Sequence, residues 1–369
     1  MSEQICRWGI LGSAGIAKKN WQSIRNSGNG VVVGVASRSI ERAQAYIYEC
    51  QGHVPFATAP KPFGSYEEMI DSPEIDAIYI PLPTGLRKEW VIKAAAAGKH
   101  VMCEKPCGKD LSELEEMLAA CQQANVQFMD GVMFMHSKRL DAIREVLEDG
   151  ESIGDIRRIH TQFSFNAPED FLAGDIRMNS ELEPLGCLGD LGWYTIRFSI
   201  WTMKYSLPVK VSARLLHAQG REDSPQPVPT EFSGELFFED GITASFYCSF
   251  RTEHQQLATI SGNKGNLRLD DFVLPFYGNE VAFTVSNAQF AHDVCDFNMK
   301  RHEKRIAVDE FSDSHPNAQE TNLFRNFANL ALSEKPDPHW GEIAHKTQNI
   351  MMACAESARL GGELVSVIQ

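Results

Sequence analysis

Between residues 5 and 130 the chain alternates short apolar runs with stretches of helical spacing. Residues 5–11, 31–36, 76–80, 99–103 and 126–130 read as strands. Residues 18–25, 65–71, 86–97 and 110–125 read as helices, and Gly98 is well placed to end the third of them. Val31-Val32-Val33-Gly34-Val35-Ala36 is apolar throughout, as expected of a strand covered on both faces. Strands joined by helices need right-handed crossovers, and that gives a parallel sheet. It also decides where chemistry sits, because open sheets of this kind bind ligands outside the C-terminal ends of their strands.

Four short stretches fall on that edge. Gly12-Ser13-Ala14-Gly15-Ile16-Ala17 follows the first strand and opens a helix. Small residues there let backbone N–H groups approach a pyrophosphate, and the helix N-terminus adds partial positive charge. A plain tight turn has a similar composition, so spacing to the next strand end carries weight. That strand ends in Ser37-Arg38-Ser39. An acidic residue at this place would hold the adenosine ribose hydroxyls. Ser37 leaves room for a 2′-phosphate instead, with Arg38 and Arg42 as its cations. The pattern favours NADP and leaves NAD open; Ser39 also suits a helix N-cap. Leu82-Pro83-Thr84 is the third stretch and Glu104-Lys105-Pro106 the fourth. Lys105 therefore falls near the nicotinamide end, with Glu104 beside it as a loop anchor.

After about residue 131 the pattern changes. Residues 140–147 read as a helix, 156–165 as a strand, and the chain from 209 onward as antiparallel sheet with turns at Glu239-Asp240-Gly241 and Asn263-Lys264-Gly265. Gly186-Cys187-Leu188-Gly189-Asp190-Leu191-Gly192-Trp193-Tyr194 opens an apolar helix running to about residue 203. Asp190, Tyr194 and Arg197 stand at i, i+4 and i+7, so they are expected on one helix face. Phe134 and His136, after the last strand of the first third, are candidate substrate contacts, as is Arg177. Surface placement of His136 and a loop salt bridge at Arg177 are equally good readings. Residues 319–332 and 342–360 read as terminal helices, able to pack back on the first domain.

At 369 residues the chain exceeds one typical core, and we divide it at 1–130 and 131–369. The expected fold class is α/β, with an N-terminal Rossmann domain and a C-terminal α/β domain built on a large, mostly antiparallel open sheet. A net charge of −14 without a basic cluster argues against nucleic acid. No apolar run reaches the ~20 residues of a membrane span. Met1-Ser2-Glu3-Gln4 lacks a basic flank and an apolar core, so no signal peptide is expected. Nine cysteines lie scattered without a ligand-type grouping, which points to reduced thiols, a cytoplasmic setting and no metal site. One face of a broad open sheet needs cover, and a second copy of the chain is the expected one.

Taken together, these motifs resemble the Gfo/Idh/MocA oxidoreductase family over essentially the whole length. The carrying residues are Gly12, Gly15, Ile16 and Ala17, Pro83-Thr84, Glu104-Lys105-Pro106, the Gly186-to-Tyr194 motif, and the Ile260-to-Gly265 turn. The resemblance implies nicotinamide-dependent oxidation or reduction of a sugar, polyol or cyclic diol, an oligomer built through the open sheet, and a cis Lys105–Pro106 bond. Tyr194 stands where many members carry His, as in the branch that contains dihydrodiol and NADP-dependent xylose dehydrogenases. Ala14, Arg87 and Arg197 depart from the family pattern, the last two placing charge near the pocket.

The expected chemistry rests on the residue types. Lys105 and Tyr194 share proton transfer at the reacting oxygen, and Asp190 orients them. A cation beside the phenol is expected to lower its pKa. Two other readings stay open: a redox-neutral enzyme that retains its dinucleotide, and a regulatory protein that binds NADP without turnover. A binding module has no need of the Lys105, Asp190 and Tyr194 set.

Overall fold

The computed structural model describes residues 4–368; residues 1–3, part of the segment read above for targeting signals, lie outside it. The first sheet is made of β1 (Cys6–Leu11), β2 (Gly30–Ala36), β3 (Lys61–Phe63), β4 (Ala77–Ile80), β5 (His100–Cys103) and β6 (Phe128–Asp130). Their order is β3-β2-β1-β4-β5-β6, and every pair is parallel. Helices α1 (Gly15–Asn26), α2 (Ile40–His53), α3 (Tyr66–Ile70), α4 (Thr84–Ala96) and α5 (Leu111–Gln123) make the crossovers. β4 is buried along its whole length, which is why it reads as one apolar run. Side chains of Ser39, Ser65 and Asp110 cap α2, α3 and α5 by accepting from a backbone N–H three residues on.

Beyond β6 come α6 (Arg139–Glu148), β7 (Ile156–Asn166), α7 (Glu169–Gly174) and α8 (Trp193–Thr202). Strands β8 (Lys210–Gln219), β9 (Val228–Phe237), β10 (Thr243–Ser249), β11 (Arg251–Gly262), β12 (Asn266–Leu269), β13 (Glu280–Asp293) and β14 (Asp296–Asp309) come next. The chain closes with α9 (Gln319–Ala331), α10 (His339–Arg359) and β15 (Val365–Ser366). The second sheet has nine strands in the order β14-β13-β12-β11-β7-β10-β9-β8-β15. All its pairs are antiparallel except β7 with β10, which is parallel. Helices α8 and α10 cover one face. On the strands beneath them Ile159, Phe232, Phe246 and Ile260 are buried, while the alternate residues His160, Ser245 and Thr259 are only half-buried.

Helix α9 packs on the first domain. Phe324 and Phe327 lie 5.3 and 4.9 Å from the Trp8 ring, and Phe324 meets Tyr79 edge-on at 5.6 Å. Helix α8 is buried at all ten positions. It is entered through one π-helical turn, Leu188–Gly192. No helix among the described residues is long and apolar enough to cross a membrane.

Candidate active site

The phosphate end is built on the turn between β1 and α1. Gly12 takes φ +110°, and a Cβ there would meet Leu82 Cδ2 at 3.0 Å. Only glycine fits such a turn without strain. Helix α1 begins at Gly15 with Ala14 at its N-cap, no capping side chain and no acidic residue in its first turn. Its first N–H groups are thus left for an anion. Nothing approaches the position of a Cβ on Gly15, and Ile16 is exposed. Ser13 and Ser37 hydroxyls lie 3.5 Å apart across the turn. Arg38 and Arg42 are exposed and no carboxylate among the described residues pairs with them. Both guanidiniums act on Tyr66: burial raises its phenol, and the two cations oppose that shift. Tyr66 also faces Gly12, its hydroxyl 3.8 Å from the position of a Cβ there. An uncapped helix start, a glycine turn, a small residue at the β2 end and two unpaired arginines fit an NADP pyrophosphate and 2′-phosphate. Tyr66 was not visible as part of this group from sequence.

The middle of the edge is held by Arg87, which is buried. Its Nε donates to Leu82 O at 2.7 Å, and Nη1 donates to Glu104 O at 2.9 Å and to Pro106 O. One guanidinium therefore ties two strand-end loops together through their backbone carbonyls. The expectation that Arg87 alters pocket charge gives way to this backbone role. Thr84 also departs from expectation. Its N–H donates to Glu183 Oε1 at 3.0 Å and its hydroxyl to Glu183 Oε2 at 2.6 Å. A carboxylate from the second domain thus caps α4, as a helix N-terminus favours. The neighbouring Gly85 donates to Leu182 O at 2.9 Å, and a Cβ on it would fall 2.2 Å from Glu181 O. Thr84 is committed to joining the domains, and Pro83 and Leu82 remain at the edge. Glu104 is turned inward, accepting from the Tyr79 hydroxyl at 2.6 Å, while Asn20 donates to that hydroxyl at 2.6 Å.

Lys105 comes next, with a cis bond to Pro106. Its Nζ donates to Asp190 Oδ1 and to Asp190 O, both at 2.7 Å, and lies 4.6 Å from the centre of the Tyr194 ring. The ammonium sits over the ring face, an arrangement that desolvation strengthens. Arg177 Nε lies 3.0 Å from Asp190 Oδ2, and its Nη1 lies 3.2 Å from Asp175 Oδ1. Asp190 is the centre of this cluster. Burial alone would raise its carboxyl, but Arg177 and Lys105 outweigh burial and hold it well below the usual carboxylate range. Asp190 in turn raises the Arg177 guanidinium. Tyr194 contradicts the expected lowering: burial pushes its phenol well above its ordinary value, and Glu104 and Asp190 add to that against Arg177. Its hydroxyl has Met133 Sδ at 3.9 Å.

The structure brings Lys105, Asp190, Tyr194 and Arg177 together. It takes Arg197 out of the group even though Tyr194 and Arg197 stand three residues apart on one regular helix, because the guanidinium is drawn to a buried carboxylate. Arg197 is fully buried, paired with Asp130 through Nη2 at 2.7 Å and donating through Nε to Thr347 at 2.7 Å. Phe134 lies behind Tyr194 in an aromatic core, 6.2 Å from its ring and 5.8 Å from that of Phe272. His136 is also drawn away, stacked on Trp340 at 4.6 Å.

A glycine turn on the edge of a parallel sheet, with Lys105 on that edge meeting Asp190, Tyr194 and Arg177 from the second domain, is the architecture of an NAD(P)-dependent oxidoreductase. Residues 6–132 match the oxidoreductase family with an NAD-binding Rossmann fold, and residues 140–268 match the GFO/IDH/MocA C-terminal domain. The chain belongs to the Gfo/Idh/MocA oxidoreductase family. It is 30% identical over 273 residues to trans-1,2-dihydrobenzene-1,2-diol dehydrogenase of Mus musculus, covering 73% of this chain and 76% of that one. It is 30% identical over 260 residues to an NADP⁺-dependent D-xylose 1-dehydrogenase of Haloferax volcanii, covering 70% and 74%. A 3-ketoreductase from Actinomadura kijaniata, solved with NADP and TDP-benzene, shares the fold with a TM-score of 0.79 at 22% identity over 96% of this chain and 98% of that one.

Proposed function

We propose that the protein is an NADP-dependent dehydrogenase or reductase of a sugar, polyol or cyclic diol, with Lys105 and Tyr194 handling the proton at the reacting oxygen. The observation that carries this is the Lys105 ammonium, 2.7 Å from Asp190 and stacked on Tyr194, on the edge that bears the glycine turn. Both curated relatives named above act on hydroxyl-bearing carbons, one a diol and one an aldose, which supports the substrate class. The unpaired Arg38 and Arg42 support NADP over NAD. When bound, the nicotinamide supplies or accepts the hydride. The chain's residues do the rest. Asp190 fixes the Lys105 ammonium through two hydrogen bonds and holds it over the Tyr194 ring. Tyr194, held neutral by its burial, donates its proton to a carbonyl oxygen during reduction. Incubation with NADP⁺ and a panel of aldoses, inositols and diols, read by nicotinamide fluorescence, tests the substrate class. Lys105→Met and Tyr194→Phe are each expected to lower turnover by about 10²–10⁴-fold. Turnover within a few-fold of wild type in both would remove the pair from the chemistry.

A homo-oligomer through the open sheet belongs to the same proposal. Beyond Ser286, the last β13 residue paired with β12, the β13–β14 hairpin runs on without a neighbour. Exposed Phe290, Met299 and Phe297 lie on one side of it, the side that continues the outer sheet face. Large apolar side chains on an uncovered ribbon mark an interaction surface. Phe290→Asp with Phe297→Asp should halve the mass seen by sedimentation; a monomeric wild type would end this part of the proposal.

A further inference from the structure

Tyr66 stands at the phosphate end of the sheet edge, and its hydroxyl binds nothing in the protein. The residue opens α3, directly after the Ser65 cap. Strands β2 and β3 run side by side with Ala36 opposite Phe63, and Ser37 N–H donates to Phe63 O at 3.2 Å. The ends of the two strands therefore bring Ser37 and Arg38 up beside Ser65 and Tyr66. From there the side chain reaches the turn between β1 and α1, its hydroxyl 3.8 Å from the position a Cβ on Gly12 would take. Trp90 of α4 holds the ring edge-on at 4.8 Å, which fixes where the hydroxyl points.

That hydroxyl is within reach of a ligand. Among the described residues it meets no donor or acceptor, yet the ring is only half-buried and its oxygen is not among the unpartnered atoms that the fold seals from solvent. Phenylalanine would pack on Trp90 as well, so the packing leaves the oxygen without a purpose.

The charge around it is positive. Burial raises the phenol, Arg38 and Arg42 oppose that rise, and no carboxylate among the described residues acts on it. Nearby acids are engaged elsewhere. Glu67 pairs with Lys93 at 2.9 Å, and Glu41 turns back on the start of α2 and the Ser39 hydroxyl. Glu68 lies two residues along α3, a spacing that does not share a helix face. A protonated phenol between two guanidiniums is a neutral donor in a cationic setting, and its best partner is an anion with several acceptor oxygens. Such charge-assisted bonds are roughly twice as strong as bonds between neutral groups.

We propose that the Tyr66 hydroxyl donates to the adenosine 2′-phosphate of NADP and, with Arg38 and Arg42, sets the preference for NADP over NAD. The role rests on NADP being the cofactor. NAD carries a ribose hydroxyl at that place, a weaker acceptor with no charge for the guanidiniums to meet.

Calorimetric titration of the full chain with adenosine 2′,5′-bisphosphate and with AMP tests this without turnover, because the two differ only in the 2′-phosphate. Wild type is expected to bind the bisphosphate about tenfold or more tighter than AMP. Tyr66→Phe keeps the ring and removes one oxygen. It should weaken the bisphosphate by about tenfold or more and leave AMP within about twofold. Bisphosphate binding in Tyr66→Phe equal to that of wild type would overturn the role of Tyr66 and leave the NADP assignment standing. Equal weakening of both nucleotides would also overturn it, by turning the hydroxyl toward the rest of the adenosine. A wild type that binds the two nucleotides alike would remove the NADP assignment, and this inference with it.

Discussion

Arg197→Met separates a structural anchor from the chemistry one turn away. The side chains of Arg197 and Asp130 both have 0% exposure, and their closest atoms are 2.7 Å apart. Removing the guanidinium leaves the Asp130 carboxylate out of water, with Trp193 Nε1 at 3.0 Å as its remaining donor. Breaking a buried pair from one side costs about 3–5 kcal/mol, against a total stability of roughly 5–15 kcal/mol. Asp130→Leu is expected to cost a similar amount, because Arg197 then keeps its charge with only Thr347 beside it. The double variant removes both charges and strands only the Trp193 indole N–H, at about 1–3 kcal/mol, because the Thr347 hydroxyl still donates to Ile343 O at 2.8 Å. It should therefore lie only about 2 kcal/mol below wild type, more stable than either single variant. Urea denaturation is the assay, accepted only where tryptophan fluorescence and circular dichroism give coincident transitions. Single variants within about 1 kcal/mol of wild type, or a double variant as unstable as the sum of the two, would refute the reasoning. Tyr194 stands on the same helix, so the single variants should also lose kcat more than KM.

Replacing Arg38 and Arg42 together by Ser removes two charged donors worth about 1.5–3 kcal/mol each. The expected result is a fall of about 10²-fold or more in kcat/KM for NADP with little change for NAD, read from steady-state rates with each cofactor. Burial holds the Tyr194 phenol protonated through the neutral range. Carbonyl reduction should therefore be flat from about pH 6 to 9, and alcohol oxidation should climb without a plateau below about pH 10. A reduction rate that falls across the neutral range would show another group donating the proton. His136 takes its proton at about 3 when folded and near 6.5 when unfolded. The unfolded chain therefore takes up that proton first as pH drops, and stability is lost between those two values. About 1.4 kcal/mol should disappear one unit below the unfolded value. Denaturation midpoints compared at about pH 7.5 and 5.5 should show that slope in wild type and a shallower one in His136→Leu.

The Rossmann half was readable because its strands are covered on both faces and so appear as continuous apolar runs. The three-residue β3 was not, since Lys-Pro-Phe carries neither period nor length. Lys105, Asp190 and Tyr194 were found through motifs with fixed neighbours. Arg87 and Glu183 escaped in function. Arg87 donates to carbonyls of loops far apart in the chain, and Glu183 looks like any solvated carboxylate until the fold sets it on the α4 N-terminus. Arg197 was misplaced for a different reason. Periodicity puts Arg197 on the same helix as Tyr194, three residues on, but it does not show that buried Asp130 at the end of β6 claims the guanidinium. The raised Tyr194 phenol depends on how deeply its ring is packed, which no residue count conveys.

The packing of α9 against Trp8 and Tyr79 bears on how the protein is made. A ribosome completes the cofactor-binding strands first, yet the helix that shields their aromatic side chains emerges about 200 residues later. At about 5–20 residues per second, that is a delay of roughly 10–40 seconds. Throughout it the nascent dinucleotide domain carries an uncovered aromatic surface. A fragment ending near residue 130 should accordingly aggregate or bind chaperones, whereas a circular permutant that synthesises α9 ahead of β1 should fold without that exposed interval.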